Sequence, residues 1–170
     1  MLWAEGEHKK QIGGVDRKAL EKAETLVIWT TPASREELTT ALATVRPAKV
    51  ILFALDPGMD DAQTFLERLA GLVKFALNQR GGQASYSGLA AATAQKTAGV
   101  RLGLAWLEKR GQITLVAGAA DELLLTPGGT ADEAAATGLV IQLRSLLQET
   151  SAFRENFQKA DAAALLNPGG

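Results

Sequence analysis

Apolar residues recur at helical spacing through the middle of the chain and form short unbroken runs near its start. Phe65, Leu66, Leu69, Leu72, Val73, Ala76 and Leu77 fall three and four residues apart, the period of one buried helix face. The run stops at Gly81-Gly82, where glycine serves as a left-handed cap. A short helix is predicted after Ser87 and a third over 97–110, with Val100, Leu104 and Leu107 on one stripe and Gly111 ending it. Two apolar strands follow, over 112–116 and 122–126. Three helices and then a two-stranded ribbon predict a winged-helix-like unit over 61–128. Such a unit binds nucleic acid or protein and rarely performs chemistry.

The first part of the chain reads differently. Leu26-Val27-Ile28-Trp29 is a continuous strand of the buried kind, and Val50-Ile51-Leu52-Phe53-Ala54 is another. Between them, Ser34 and Glu37 form the pattern of a capping box, opening a helix over 35–45 that Pro47 stops. Strand, helix and strand with short connections predict a parallel βαβ layer. A further helix over 16–22 is expected between an opening strand at 2–4 and Leu26. Residues 1–60 therefore read as a small α/β unit. After Pro127-Gly128-Gly129, Thr130 and Glu133 suggest a second capping box and a helix to about 149, with Leu139, Val140, Leu143, Leu146 and Leu147 facing inward. Ser151 is placed to cap a last helix to about 165, and Asn167-Pro168-Gly169-Gly170 is expected to fray. These C-terminal helices, 129–170, are expected to pack back on the α/β unit. The predicted class is α/β: a small parallel βαβ layer, then a winged-helix-like unit, then C-terminal helices.

Composition narrows the chemistry. Apolar residues make up 46% of the chain, enough for a sizeable core, and the net charge of −1 gives no global attraction for DNA. With no cysteine, thiol catalysis, disulfides and cysteine-ligated metals are excluded. No apolar run approaches the length of a membrane span, so the expectation is a soluble cytoplasmic protein with no membrane partner. Met1-Leu2-Trp3-Ala4 looks like a strand entered abruptly, which suggests a piece of a longer protein.

Chemical motifs are sparse. The sole histidine, His8, lies in Glu5-Gly6-Glu7-His8-Lys9-Lys10, read as a solvated polar loop, since no second cluster supplies further metal ligands. The glycine pairs lack both the Walker ending and the dinucleotide fingerprint. Asp60-Asp61 resembles a helix start, and Asp56 at a strand end is the one acid placed where α/β sheets bind ligands. Trp29 and Trp106 are expected in the core. No catalytic and no metal-binding residue is assigned. On the third helix Gln95, Lys96, Thr97, Arg101, Lys109 and Arg110 lie off the apolar stripe or at its ends, while Ala98 and Gly103 are expected to be exposed and offer nothing that reads a base. Lys96, Arg101, Lys109 and Arg110 are the candidate DNA contacts, suited to weak, nonspecific binding. Protein docking by the same unit is an equal alternative.

The run Thr25-Leu-Val-Ile-Trp-Thr-Thr-Pro-Ala-Ser-Arg-Glu-Glu-Leu38 resembles the strand and Pro-x-Ser-x-x-Glu-Leu block in the C-terminal region of RecJ, the single-strand-specific 5′-to-3′ DNA exonuclease of the DHH phosphoesterase superfamily. Phe75-Ala-Leu-Asn-Gln-Arg-Gly-Gly82 and Leu107-Glu-Lys-Arg-Gly-Gln-Ile113 are similar in order to that same region, as is the charged C-terminal helix. The resemblance covers nearly the whole chain. It implies an accessory domain without the nuclease centre, whose Asp-His-His motif and divalent manganese or magnesium ions would belong to the parent enzyme. It implies docking of single-strand-binding protein or a helicase, or positioning of single-stranded DNA, in recombination and repair. The alternative is a winged-helix transcription regulator with a ligand-sensing α/β half.

Overall fold

A computed structural model describes residues 1–166; the 167–170 end, expected to fray, lies outside the described residues. The fold is mixed α/β. Its elements run β1 (Leu2–Trp3), α1 (Gly6–Ile12), β2 (Thr25–Thr30), α2 (Arg35–Val45), β3 (Lys49–Leu55), α3 (Ala62–Gln79), β4 (Gln83–Ser85), α4 (Tyr86–Thr93), α5 (Thr97–Lys109), β5 (Ile113–Ala117), β6 (Glu122–Pro127), α6 (Glu133–Lys159) and α7 (Ala162–Leu166). The chain divides into two compact units. One is Met1–Pro57 together with the chain from Glu149 onward; the other is Gly58–Gln148. None of the described helices is long and apolar enough to cross a membrane.

The first unit is built on a parallel sheet in the order β1-β2-β3. Leu26 and Ile28 point into a core with Trp3 from β1 and Leu38, Ala41 and Val45 from α2, and Phe157 and Leu165 from the C-terminal helices join it. The opposite sheet face is the more open one, with Val27 and Ile51 half-buried and Lys49 and Phe53 exposed. Trp29, expected in the core, stands on that face half-buried with its ring 4.6 Å from that of Phe53. The strand alternates sides at every residue, so a continuous apolar run cannot bury Trp29 together with Ile28 when helices cover one face only. β3 carries a bulge: Ile28 pairs with Leu52 but Thr30 pairs with Leu55, and Ala54 takes up the extra residue with φ of 53°.

Four local expectations fail. The predicted helix over 16–22 is only a 3-10 turn at Arg17–Ala19, started by the Asp16 carboxylate accepting from the Lys18 amide. The helix of that crossover is α1, the segment read as a polar loop. It buries none of its own residues, so its sequence has no apolar stripe to detect. The break expected at Ser151 is absent: α6 continues for 27 residues, because Leu143, Leu147, Thr150, Arg154 and Phe157 keep one buried stripe through it. Its start is capped by Asp132, which accepts from Ala135 N–H at 3.0 Å, and not by Thr130. Ser34 does cap α2, accepting from the Glu37 amide, but the Glu37 carboxylate accepts from Ala33 N–H and pairs with Arg17.

In the second unit α3, α4 and α5 enclose a core of Phe65, Leu69, Val100, Leu104 and Leu107, to which Leu123, Leu125, Leu143 and Leu147 contribute. An antiparallel sheet in the order β4-β6-β5 closes it. β4 is too short to leave a sequence signal. It exists because Gly82 (φ 82°) brings its backbone against β6; a Cβ there would lie 2.0 Å from the Leu125 carbonyl oxygen.

Candidate functional site

Two places deserve comparison: the α5 surface with its strands, and the carboxyl end of the parallel sheet.

α5 turns Gly99, Val100, Gly103, Leu104 and Leu107 inward. Gly103, expected on the surface, is therefore buried; a Cβ there would sit 2.5 Å from Leu69 Cδ2 and 3.0 Å from Phe65 Cε1. The glycine is what lets α3 approach α5 so closely. Gln95 is also unavailable to a ligand. It is buried, with Nε2 donating to the Met59 carbonyl at 2.9 Å and to Asp60 Oδ1 at 2.6 Å.

The four candidate cations separate into two pairs. Lys96 is the N-cap of α5, and Arg101 is one turn further on, exposed, with its guanidinium 3.7 Å above the Tyr86 ring. Lys109 and Arg110 are at the other end of the 13-residue helix, about 20 Å along its axis from Lys96 and about 12 Å from Arg101. Arg110 donates to Glu133 at 2.7 Å and lies over Trp106, which is half-buried and packs against the core from its edge. One compact basic patch is thus not formed.

The β5–β6 hairpin that follows has no cation at all: no lysine or arginine occurs between Arg110 and Arg144. Its exposed face carries Val116 and Leu124, which pair directly across the strands and are 52% and 42% exposed. Electrostatic binding to a phosphate backbone needs cations at the contact. This hairpin offers an apolar pair and, at its turn, Asp121 and Glu122.

At the carboxyl end of the parallel sheet Glu5 and His8, expected in a solvated polar loop, converge with Arg17, Thr30 and Glu37. Glu5 lies two residues past β1 and is buried. Its Oε1 accepts from Trp3 Nε1 at 2.9 Å and from Arg17 Nε at 2.7 Å, while Arg17 Nη2 bonds Oε2. Arg17 Nη1 bonds Glu37. Burial works against the Arg17 cation, yet the two carboxylates outweigh it and raise its pKa beyond the ordinary arginine value. Glu37 goes up as well: burial, the largest effect, favours its neutral form, Arg17 opposes this, and the negative Glu5 adds to the rise. Thr30, at the end of β2, accepts from the Glu5 amide at 3.0 Å, and its Oγ1 lies 3.0 Å from His8 Nδ1. Burial lowers the His8 pKa; Asp56 raises it and Arg154 lowers it further, with a net fall. Position is the signal that could have found Glu5 and Thr30: like Asp56, which the sequence did single out, they stand at or just past the carboxyl end of a parallel strand.

The chemistry of this cluster is that of an ion triad, two carboxylates sharing one guanidinium. Its carboxylates face a guanidinium and amides, so they are not free to ligate a divalent cation, and among the described residues no group of three or more histidine and acidic side chains is placed to hold one. The residues do not fit a metal centre of the kind implied for the parent nuclease. In comparisons with known proteins, no family model, no curated protein and no solved structure matches this chain.

Proposed function

We propose that this chain is a non-catalytic accessory domain of a RecJ-like single-strand-specific exonuclease, acting in the cytoplasm through protein docking, with single-stranded DNA a weak secondary ligand. The observation that carries this reading is the second unit's layout: α3-β4-α4-α5-β5-β6 with β6 between β4 and β5. We read this order as winged-helix-like, and the third helix and hairpin as its contact surfaces. The block Thr25–Leu38, on which the resemblance rests, falls on β2 and α2. The hairpin's apolar pair and lack of cations favour a protein partner over DNA. Single-strand-binding protein or a helicase is the partner that the resemblance implies.

The test is a titration of labelled single-stranded and duplex DNA at two salt concentrations, beside a peptide bearing the acidic tail of single-strand-binding protein. The four candidate cations limit the salt slope on single strands to about −3 or shallower. DNA binding should therefore be weak and collapse with salt, with peptide binding persisting. Tight, sequence-selective duplex binding would instead establish the alternative, a winged-helix transcription regulator with a ligand-sensing α/β half. Manganese-dependent degradation of oligonucleotides by rigorously purified protein would end the accessory reading.

A further inference from the structure

Among the described residues, every sheet edge but one is protected. β1 is two residues long, and its outer side is occupied by the Val15 segment, with Ala4 N–H donating to the Val15 carbonyl and Val15 N–H to Leu2. β4 has only three residues. On β5, the amide of Leu115 is taken by the Glu108 carboxylate at 2.9 Å. Such devices keep edge strands from pairing with other chains.

β3 is the exception. Among the described residues it is the longest strand, Lys-Val-Ile-Leu-Phe-Ala-Leu, and β2 is its only strand neighbour. Lys49 N–H donates to the Glu24 carbonyl, toward β2. Alternation along a parallel strand then turns the N–H and C=O groups of Val50 and Leu52 outward. Beside this edge Phe53 is 52% exposed and stacks on Trp29. Parallel sheets are ordinarily covered on both faces.

We propose that β3 pairs antiparallel with β3 of a second copy across a two-fold axis at Ile51, joining two three-stranded sheets into one of six strands. The register follows from the outward groups. Val50 of each copy exchanges both main-chain hydrogen bonds with Leu52 of the other, Ile51 faces Ile51, and Phe53 stands opposite Lys49 on the open face. Charge complementarity favours this occupant. The edge is positive at Lys49 and negative at Asp56, and antiparallel pairing brings the Lys49 end of each copy toward the Asp56 end of the other. The Ala54 bulge limits pairing to 49–53, which closes the contact as a dimer.

Sedimentation velocity over a concentration series tests the pairing without reference to any ligand. The wild-type chain should pass from monomer to a single dimeric species. Phe53→Lys sets like charges opposite each other and should yield monomer at every concentration. Phe53→Glu sets a carboxylate against Lys49 and should keep the dimer. The site is exposed, so circular dichroism should show both variants folded. A wild-type monomer throughout, an open series of larger species, or equal loss of the dimer in both variants would overturn the proposal. Equal loss would mean that Phe53 acts only as apolar surface.

Discussion

At the scale of single residues the sharpest consequences lie in the Glu5–Arg17–Glu37 triad. One guanidinium serves two buried or half-buried carboxylates. Arg17→Ala would leave Glu5, which is 2% exposed, as a buried charge whose remaining side-chain donor is the Trp3 indole. Breaking such a pair from one side costs about 3–5 kcal/mol, and a urea midpoint should fall accordingly. His8 sets a pH dependence of definite sign. Its folded-state pKa is depressed below 6.5, so the unfolded chain takes up a proton that the folded chain resists. Stability should fall as pH drops through 6.5 toward the folded value, and His8→Gln should flatten that limb of the urea-midpoint profile. Glu37 runs the other way. Its folded pKa is raised above 4.5, so it favours folding below 4.5 and loses that contribution as pH rises through the folded value. An unchanged acid limb in His8→Gln would remove the imidazole from this account.

At the scale of elements, the α3–α5 contact depends on a missing side chain. Gly103→Ala gains helix propensity of about 1 kcal/mol but pushes a methyl into Leu69 and Phe65, an overpacking cost of about 1–3 kcal/mol. The expected outcome is a lower thermal midpoint, in contrast to Gly71→Ala on α3, where nothing lies within 4 Å of a Cβ and the midpoint should rise. The elements that the sequence revealed are those with periodic apolar positions. The spans of α2, α3 and α5 and the approximate bounds of β5 and β6 are legible because each buries a stripe or an alternate row. What was illegible lacks that signature. α1 is polar all round, β4 is held by the close approach of Gly82, and Gly103 looks like a surface residue until α3 is set against it. The triad was illegible for another reason: Glu5, Arg17 and Glu37 are far apart in sequence, and only the parallel topology brings them together.

At the scale of the molecule, α6 belongs to both units. Leu143 and Leu147 lie in the core of the Gly58–Gln148 unit, and Phe157 lies in the core of the sheet unit, whose boundary on this helix is Glu149. Truncation after Gln148 should therefore spare the first and damage the second. Proteolysis of the shortened chain should leave a resistant fragment beginning near Gly58, while loss of the whole chain to protease would show that neither unit stands without the other. The tryptophans supply the means to follow this. Trp3 is sealed in the sheet unit with its indole donating to Glu5, Trp29 stands on the open sheet face, and Trp106 lies in the other unit under Arg110. An indole tied to a carboxylate in a dry setting emits differently from one at a wet surface. Single Trp→Phe replacements would thus turn the protein's own fluorescence into separate reporters, one colour shift tracking the triad and another the helical half, with no external dye.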